Sequence, residues 1–220
     1  MPAQRSQSET RALRPEDATL LLAELRKPSD KSAAAARVAR REYALGCLLV
    51  DAGLRVSEAL GLTWGDVGLV EGVLHVRGQL GPHKAAETPR IVPPKSHRGL
   101  RVVPLLPRLQ EALGALYAGE DDAEFVLRTR RGTPLSRHNA RRSIRDAGVE
   151  AKLGHVTPHV LRRTTGTAMS EAGVPVATAA SILGHSVQVN HRAYVKAHGD
   201  AIARDRAREA LVELGLGVGD

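Results

Sequence analysis

Residues 157–173 read TPHVLRRTTGTAMSEAG, and the start of this stretch decides how the rest of the chain is read. Thr157 carries a hydroxyl suited to an N-cap, Pro158 suits the first helical position, where its missing N–H is no loss, and Gly173 suits the stop. A helix here puts His159 and Arg162 three apart, on one face of its first turns. Two cationic or hydrogen-bonding groups then stand beside a helix N-terminus, which itself favours anions. For this segment alone an ordinary solvated helix start remains an open reading. A metal site is discounted: His155 and His159 are spaced i, i+4, but Pro158 begins the helix between them, and the sequence has no H-E-x-x-H and no paired cysteines.

Outward from this stretch, apolar residues recur at helical spacing and runs end at glycines. RPEDATLLLAEL, with Pro15 and acidic residues in its first turn, predicts a short helix, and AAAARVARREYALGCLLVDAG a longer one ending near Gly53. RVSEALGLTWGDV continues in short helical turns. From Val73 the period changes: VLHVRG, then RIVPP and LRVVPL after a Gly/Pro-containing loop, predict three strands of a small antiparallel sheet. PRLQEALGALYAG, LSRHNARRSIRDAG and VPVATAASILG predict further helices, and DAIARDRAREALVEL a last amphipathic one. The expectation is a mostly helical α+β domain with a small three-stranded antiparallel sheet. Residues 1–14 are expected to be a polar tail or linker, and 15–220 one domain.

Composition bounds the function. The 220 residues carry a formal net charge of +8, with 26 Arg against 6 Lys, so a polyanion is a natural partner. An arginine-rich solvated surface accounts for the charge equally well. Aromatic residues are only 2%, so Leu, Val, Ile and Ala must build the core, and the single Cys47, in an apolar run, predicts a core thiol and a reducing compartment. No stretch is long and apolar enough to span a bilayer, and no secretory leader pattern opens the chain. A cytoplasmic protein without a membrane partner is expected.

Further candidate residues lie in order along the chain. In GLRVSEALGL, Arg55 and Glu58 stand three apart, which on its own reads as a surface ion pair worth a few tenths of a kcal/mol. Lys95 lies in a hairpin region just ahead of the strand ending V-P-L, whereas Lys84 sits in the longer loop. LGHSVQVNHRAYVKAH, residues 183–198, places Tyr194 nine positions after His185. Taken together, G-L-R-x-x-E, a hairpin Lys before V-P-L, H-x-x-R opening a helix, L-G-H and a following Tyr resemble the catalytic domain of the tyrosine recombinases, the phage-integrase family. The likeness runs from about Arg14 to about Leu214. It departs from the family's pattern at Arg163, where many members have histidine, in the length of the 78–89 loop, and in the apparent lack of the helical core-binding domain that usually precedes the catalytic one.

The resemblance implies a site-specific recombinase or integrase that cleaves and rejoins DNA through a 3′-phosphotyrosine intermediate. It assigns Arg55 and Arg162 to clamping the scissile phosphate, His159 and His185 to hydrogen-bonding it, Lys95 to protonating the leaving 5′ oxygen, and Tyr194 to nucleophilic attack, with Glu58 in support. The physics is consistent: a phenol of pKa about 10 is about one part in a thousand ionised at neutral pH, a deficit of about 4 kcal/mol, and surrounding cations favour both the phenolate and the developing phosphorane charge. Neither a metal nor a small-molecule cofactor is called for. The implied partner is double-stranded DNA, with self-association into a tetramer on it, at the nucleoid. Two other classes share the features: a catalytically silent DNA-binding regulator of the same fold, and a type IB topoisomerase-like DNA-relaxing enzyme.

Overall fold

In a computed structural model, residues 12–82, 89, 91–93 and 99–186 are described. Tyr194, Lys84, Lys95, residues 1–11 and the last amphipathic stretch lie outside them. α1 (Pro15–Leu25) has proline at its start and Glu16 and Asp17 in its first turn, and buries Ala18, Leu21, Leu22 and Leu25, the stripe its spacing predicts. Just ahead of it, the Leu13 N–H donates to Thr164 Oγ1 at 2.9 Å, so Leu13 packs with the domain. α2 (Ala33–Val50) is capped by Ser32, whose Oγ accepts from the Ala35 N–H. Its last seven residues, Ala44–Val50, are all buried, making it the central helix. Within it Cys47 is fully buried, and burial pushes its thiol up to about 12, as befits a core residue.

Gly53 ends this helical segment at φ +60, and a Cβ there would meet Leu183 at 2.5 Å. The turn delivers the chain to Arg55 and α3 (Val56–Gly61), then to a 3₁₀ turn, Trp64–Asp66. The sheet follows as β1 (Val67–Gly68), β2 (Val73–Val76) and β5 (Arg101–Pro104), antiparallel in the order β1-β2-β5. Leu74 faces Val103 and Val76 faces Arg101, and with side chains alternating along each strand this register turns Leu74, Val76, Val103 and Arg101 to the same, inner side.

One strand assignment changes. The sheet is three-stranded, as the sequence predicts, but Ile91–Val92 (β4) is not part of it. β4 pairs with Gln79–Leu80 (β3) as a separate two-stranded ribbon. β2 already has β1 on one side and β5 on the other, so neither of its edges is left for Ile91–Val92, which pairs with the extended chain beyond Gly78.

The remaining helices close the core. α4 (Pro107–Gly114) is pinned to the end of α2 by Arg108, whose guanidinium grips the Asp51 carboxylate with two hydrogen bonds. α5 (Arg137–Glu150) is capped by Ser136, α6 (Pro158–Glu171) by Thr157, whose Oγ1 accepts from the Val160 N–H, and α7 (Val176–Leu183) ends at Gly184 in the left-handed region. The helices read from the sequence between residues 15 and 183 are therefore all present. No described helix is long and apolar enough to cross a membrane.

α3 leans on the β3 backbone at Gly61, where a Cβ would lie 2.6 Å from the Leu80 nitrogen and 2.9 Å from the Gln79 carbonyl carbon. Backbone cannot swing aside as a side chain can. Gly61→Ala is expected to lower stability by about 1–3 kcal/mol, read as a lower urea midpoint at unchanged slope.

Candidate active site

The site is built around one carboxylate. Arg55 occupies the N-cap of α3, and Glu58, three residues on, accepts the Arg55 backbone N–H on Oε2 at 2.8 Å and Arg55 Nη1 on Oε1 at 2.7 Å. The pairing read from the spacing is correct, but it is no surface bridge: the Glu58 side chain is 2% exposed. A second arginine explains how such a charge is tolerated. Arg101, 3% exposed on the inner face of β5, donates Nη2 to Oε2 at 2.8 Å and Nη1 to Oε1 at 3.2 Å. A third, Arg162 Nη1, lies 3.8 Å from Glu58.

Burial by itself would raise the Glu58 pKa, but the Arg101 fork, the Arg55 N–H and the Arg55 charge outweigh it and hold the carboxyl down to about 2.

The same three arginines also hold the C-terminal end of α7. Its last carbonyls lack helical partners and carry the negative end of the helix dipole. Arg101 Nε donates to the Ile182 oxygen at 2.7 Å, Arg162 Nη2 to the Leu183 oxygen, and Arg55 Nη2 to the Gly184 oxygen at 2.9 Å. Arg162 Nη1 further donates to the Gly53 oxygen at 2.5 Å. With Gly184 at φ 61, the chain turns so that the His185 ring reaches Arg162, Nε2 to Nη2 at 2.6 Å. An arginine N–H can only donate, so Nε2 accepts and the imidazole proton sits on Nδ1. Burial, then the charges of Arg162, Arg55 and Arg101 and of His159, push His185 down to about 4, so the ring is neutral at physiological pH.

Arg162 and His159 divide along α6. Arg162 is 2% exposed, while His159 is on the exposed surface of the first turn. Both line one cavity of about 550 Å³, together with Arg55, His155 and the α5 side chains His138, Arg141, Arg142 and Arg145. The cavity therefore unites Arg55, His159 and Arg162, with His185 behind Arg162. The sequence reading left the α5 contribution out, although RHNARRSIR shows basic residues at i, i+3, i+4 and i+7, one helical face. It also left out Arg101, for which no local signal exists: its partner is 43 positions away. Arg163 is half-buried. Among the described residues no group of three or more His, Cys, Asp or Glu is placed to hold a metal ion.

Chemically, three guanidiniums share one carboxylate, leaving a surplus of positive charge beside an open hollow. Such a surplus suits a tetrahedral oxyanion, since two of the guanidiniums reach the cavity wall and are already oriented.

Glu58→Gln removes the counter-charge of buried cations and is expected to cost about 3–5 kcal/mol at neutral pH. Because the folded-state value is lowered, the Glu58 contribution is complete above the ordinary carboxylate range and is lost as pH falls toward about 2. The gap in stability between wild type and Glu58→Gln, measured by urea titration at several pH values, should accordingly narrow between pH 4.5 and 2.

Comparison with known proteins follows the same lines. The sequence profile of the phage integrase family matches residues 11–199. The chain is 31% identical over 182 residues to the tyrosine recombinase XerA of Thermococcus kodakarensis, covering 81% of this chain and 58% of that protein. It is 34% identical over 155 residues to the type 1 fimbriae regulatory protein FimE of Escherichia coli, covering 66% and 69%. Another relative, the XerC recombinase of Pelobacter propionicus, is spanned over 44% of its length, so the chain spans about half the length of several curated relatives. Among solved structures, the Tn1549 transposon integrase in complex with transposon right end DNA superposes with a TM-score of 0.71 at 23% identity, covering 96% of this chain and 68% of that one. At that identity the match concerns the fold.

Proposed function

As the chain belongs to the phage integrase family, we propose that it is the catalytic part of a site-specific recombinase, cleaving and rejoining DNA strands through a 3′-phosphotyrosine. The observation that carries this is the group of Arg55, Arg162 and His185, set on the buried Glu58 and beside the basic cavity. Arg55 and Arg162 neutralise the scissile phosphate, and His159 and His185 hydrogen-bond its non-bridging oxygens. A neutral His185, held against Arg162 through Nε2, adds nothing to the crowded positive charge. Tyr194 attacks phosphorus while Lys95 protonates the departing 5′ oxygen, so that no bare alkoxide is expelled. The phosphoester to tyrosine conserves the bond, and a 5′-hydroxyl from another strand can reverse the step.

The partner is duplex DNA, its backbone running along the basic face of α5 that lines the cavity. Assembly into a tetramer on DNA, as strand exchange between two duplexes requires, and work at the nucleoid complete the reading. The chemistry draws its electrophilic assistance from side chains and calls for no metal or nucleotide cofactor.

A site recovered by selection from a random duplex pool, then nicked next to the cleaved bond, serves as a suicide substrate. Wild type should accumulate a covalent protein–DNA adduct whose DNA-bearing peptide contains Tyr194, and Tyr194→Phe should bind the same duplex without forming it. An adduct that persists in Tyr194→Phe, or that maps to Tyr43 or Tyr117, refutes the assignment. On the same substrate Lys95→Ala should slow cleavage by about 10²–10⁴, the usual loss of a general acid, whereas Lys84→Ala should not.

A further inference from the structure

Of the three arginines around Glu58, Arg101 alone does not line the cavity. It is also the most completely engaged. Its fork spans both oxygens of Glu58, its Nε holds the Ile182 carbonyl at the end of α7, and its Nη1 also donates to the Gly99 oxygen at 3.1 Å. One planar group thus joins α3, α7 and the start of β5. Arg55 and Arg162 also reach both Glu58 and the end of α7, but both of them line the cavity.

We propose that Arg101 is a positioning residue for the phosphate-binding group: without touching DNA, it fixes Glu58 beneath Arg55 and fixes the turn that presents His185 to Arg162. This rests on the recombinase reading above. The reasoning is geometric. Glu58 has two oxygens and, near it, three guanidiniums; with Arg101 spanning both oxygens, Arg55 is left to pair through a single Nη on Oε1 and keeps N–H groups for a ligand. If Arg101 were lost, Arg162, at 3.8 Å, is the nearest cation to close on the carboxylate, and its inward movement would take it off the Leu183 carbonyl and away from His185. Displacements of about 1 Å in such a site cost on the order of a hundredfold in rate. Lysine in place of arginine keeps the charge but has a single point of attachment, so it cannot span the carboxylate and reach Ile182 together.

The test compares wild type, Arg101→Lys and Arg101→Gln on the nicked suicide duplex, with affinity measured separately. Expected are DNA affinities within about twofold of wild type, and rates of covalent-complex formation at saturating DNA lower by about tenfold for Arg101→Lys and about a hundredfold for Arg101→Gln. Should Arg101→Gln not fold, Arg101→Lys decides, its fold checked by near-ultraviolet circular dichroism. Wild-type rates in a folded Arg101→Lys, or loss of affinity in step with rate, overturn the inference while leaving the recombinase reading in place. Failure of wild type itself to form an adduct removes the reading and this inference with it.

Discussion

A single buried carboxylate, Glu58, and the bare C-terminal carbonyls of α7 are jointly met by three arginines, and this arrangement sets everything else in the site. Each component would be costly alone. A carboxylate 2% exposed needs opposite charge, and guanidiniums 2–3% exposed need acceptors. Brought together from α3, β5, α6 and the end of α7, they satisfy one another and at the same time tie those elements into one body. The positive surplus left over is directed at the cavity by Arg55 and Arg162. The same groups that meet this structural need are those to which the proposal above assigns the phosphate.

The surrounding fold exists to bring distant residues to this point. α2 is the buried axis, and Gly53 at its end lets the chain turn close against Thr165 and Leu183, offering its own carbonyl to Arg162. The antiparallel register of β2 and β5 puts Arg101 on the inner face with Val103. Thr157 and Pro158 start α6 so that His159 faces outward over the cavity while Arg162, one turn further, points in.

Helices were legible because each carried its own start and stop: Ser32, Ser136 and Thr157 as caps, Pro15, Pro107 and Pro158 at first positions, Gly184 at an end. Arg55, Glu58, His159, Arg162 and His185 were legible as an ordered series, and the structure puts Arg55, His159 and Arg162 on one cavity wall, with Glu58 bonded to Arg55 and His185 to Arg162. Arg101 was not, because strand register, and not local spacing, pairs it with Glu58. The placement of Ile91–Val92 failed for a related reason: which edge of β2 is free depends on β1 and β5 together, and a pattern of alternating residues says nothing of partners. The depth of Glu58 was likewise hidden, since an i, i+3 pair looks the same on a surface helix and in a core.

The central claim is that this pre-formed group grips a phosphorus-like centre in line with Tyr194. It is tested most directly by a crystal structure of the full chain on its selected duplex, nicked at the cleavage position and soaked with orthovanadate. The account predicts a trigonal-bipyramidal vanadate with equatorial oxygens within hydrogen-bond distance of Arg55, Arg162 and His185, and the Tyr194 Oη at an apical position. Vanadate held elsewhere, or held at this cavity with Arg55 and Arg162 still turned wholly to Glu58 and the α7 carbonyls, would contradict it.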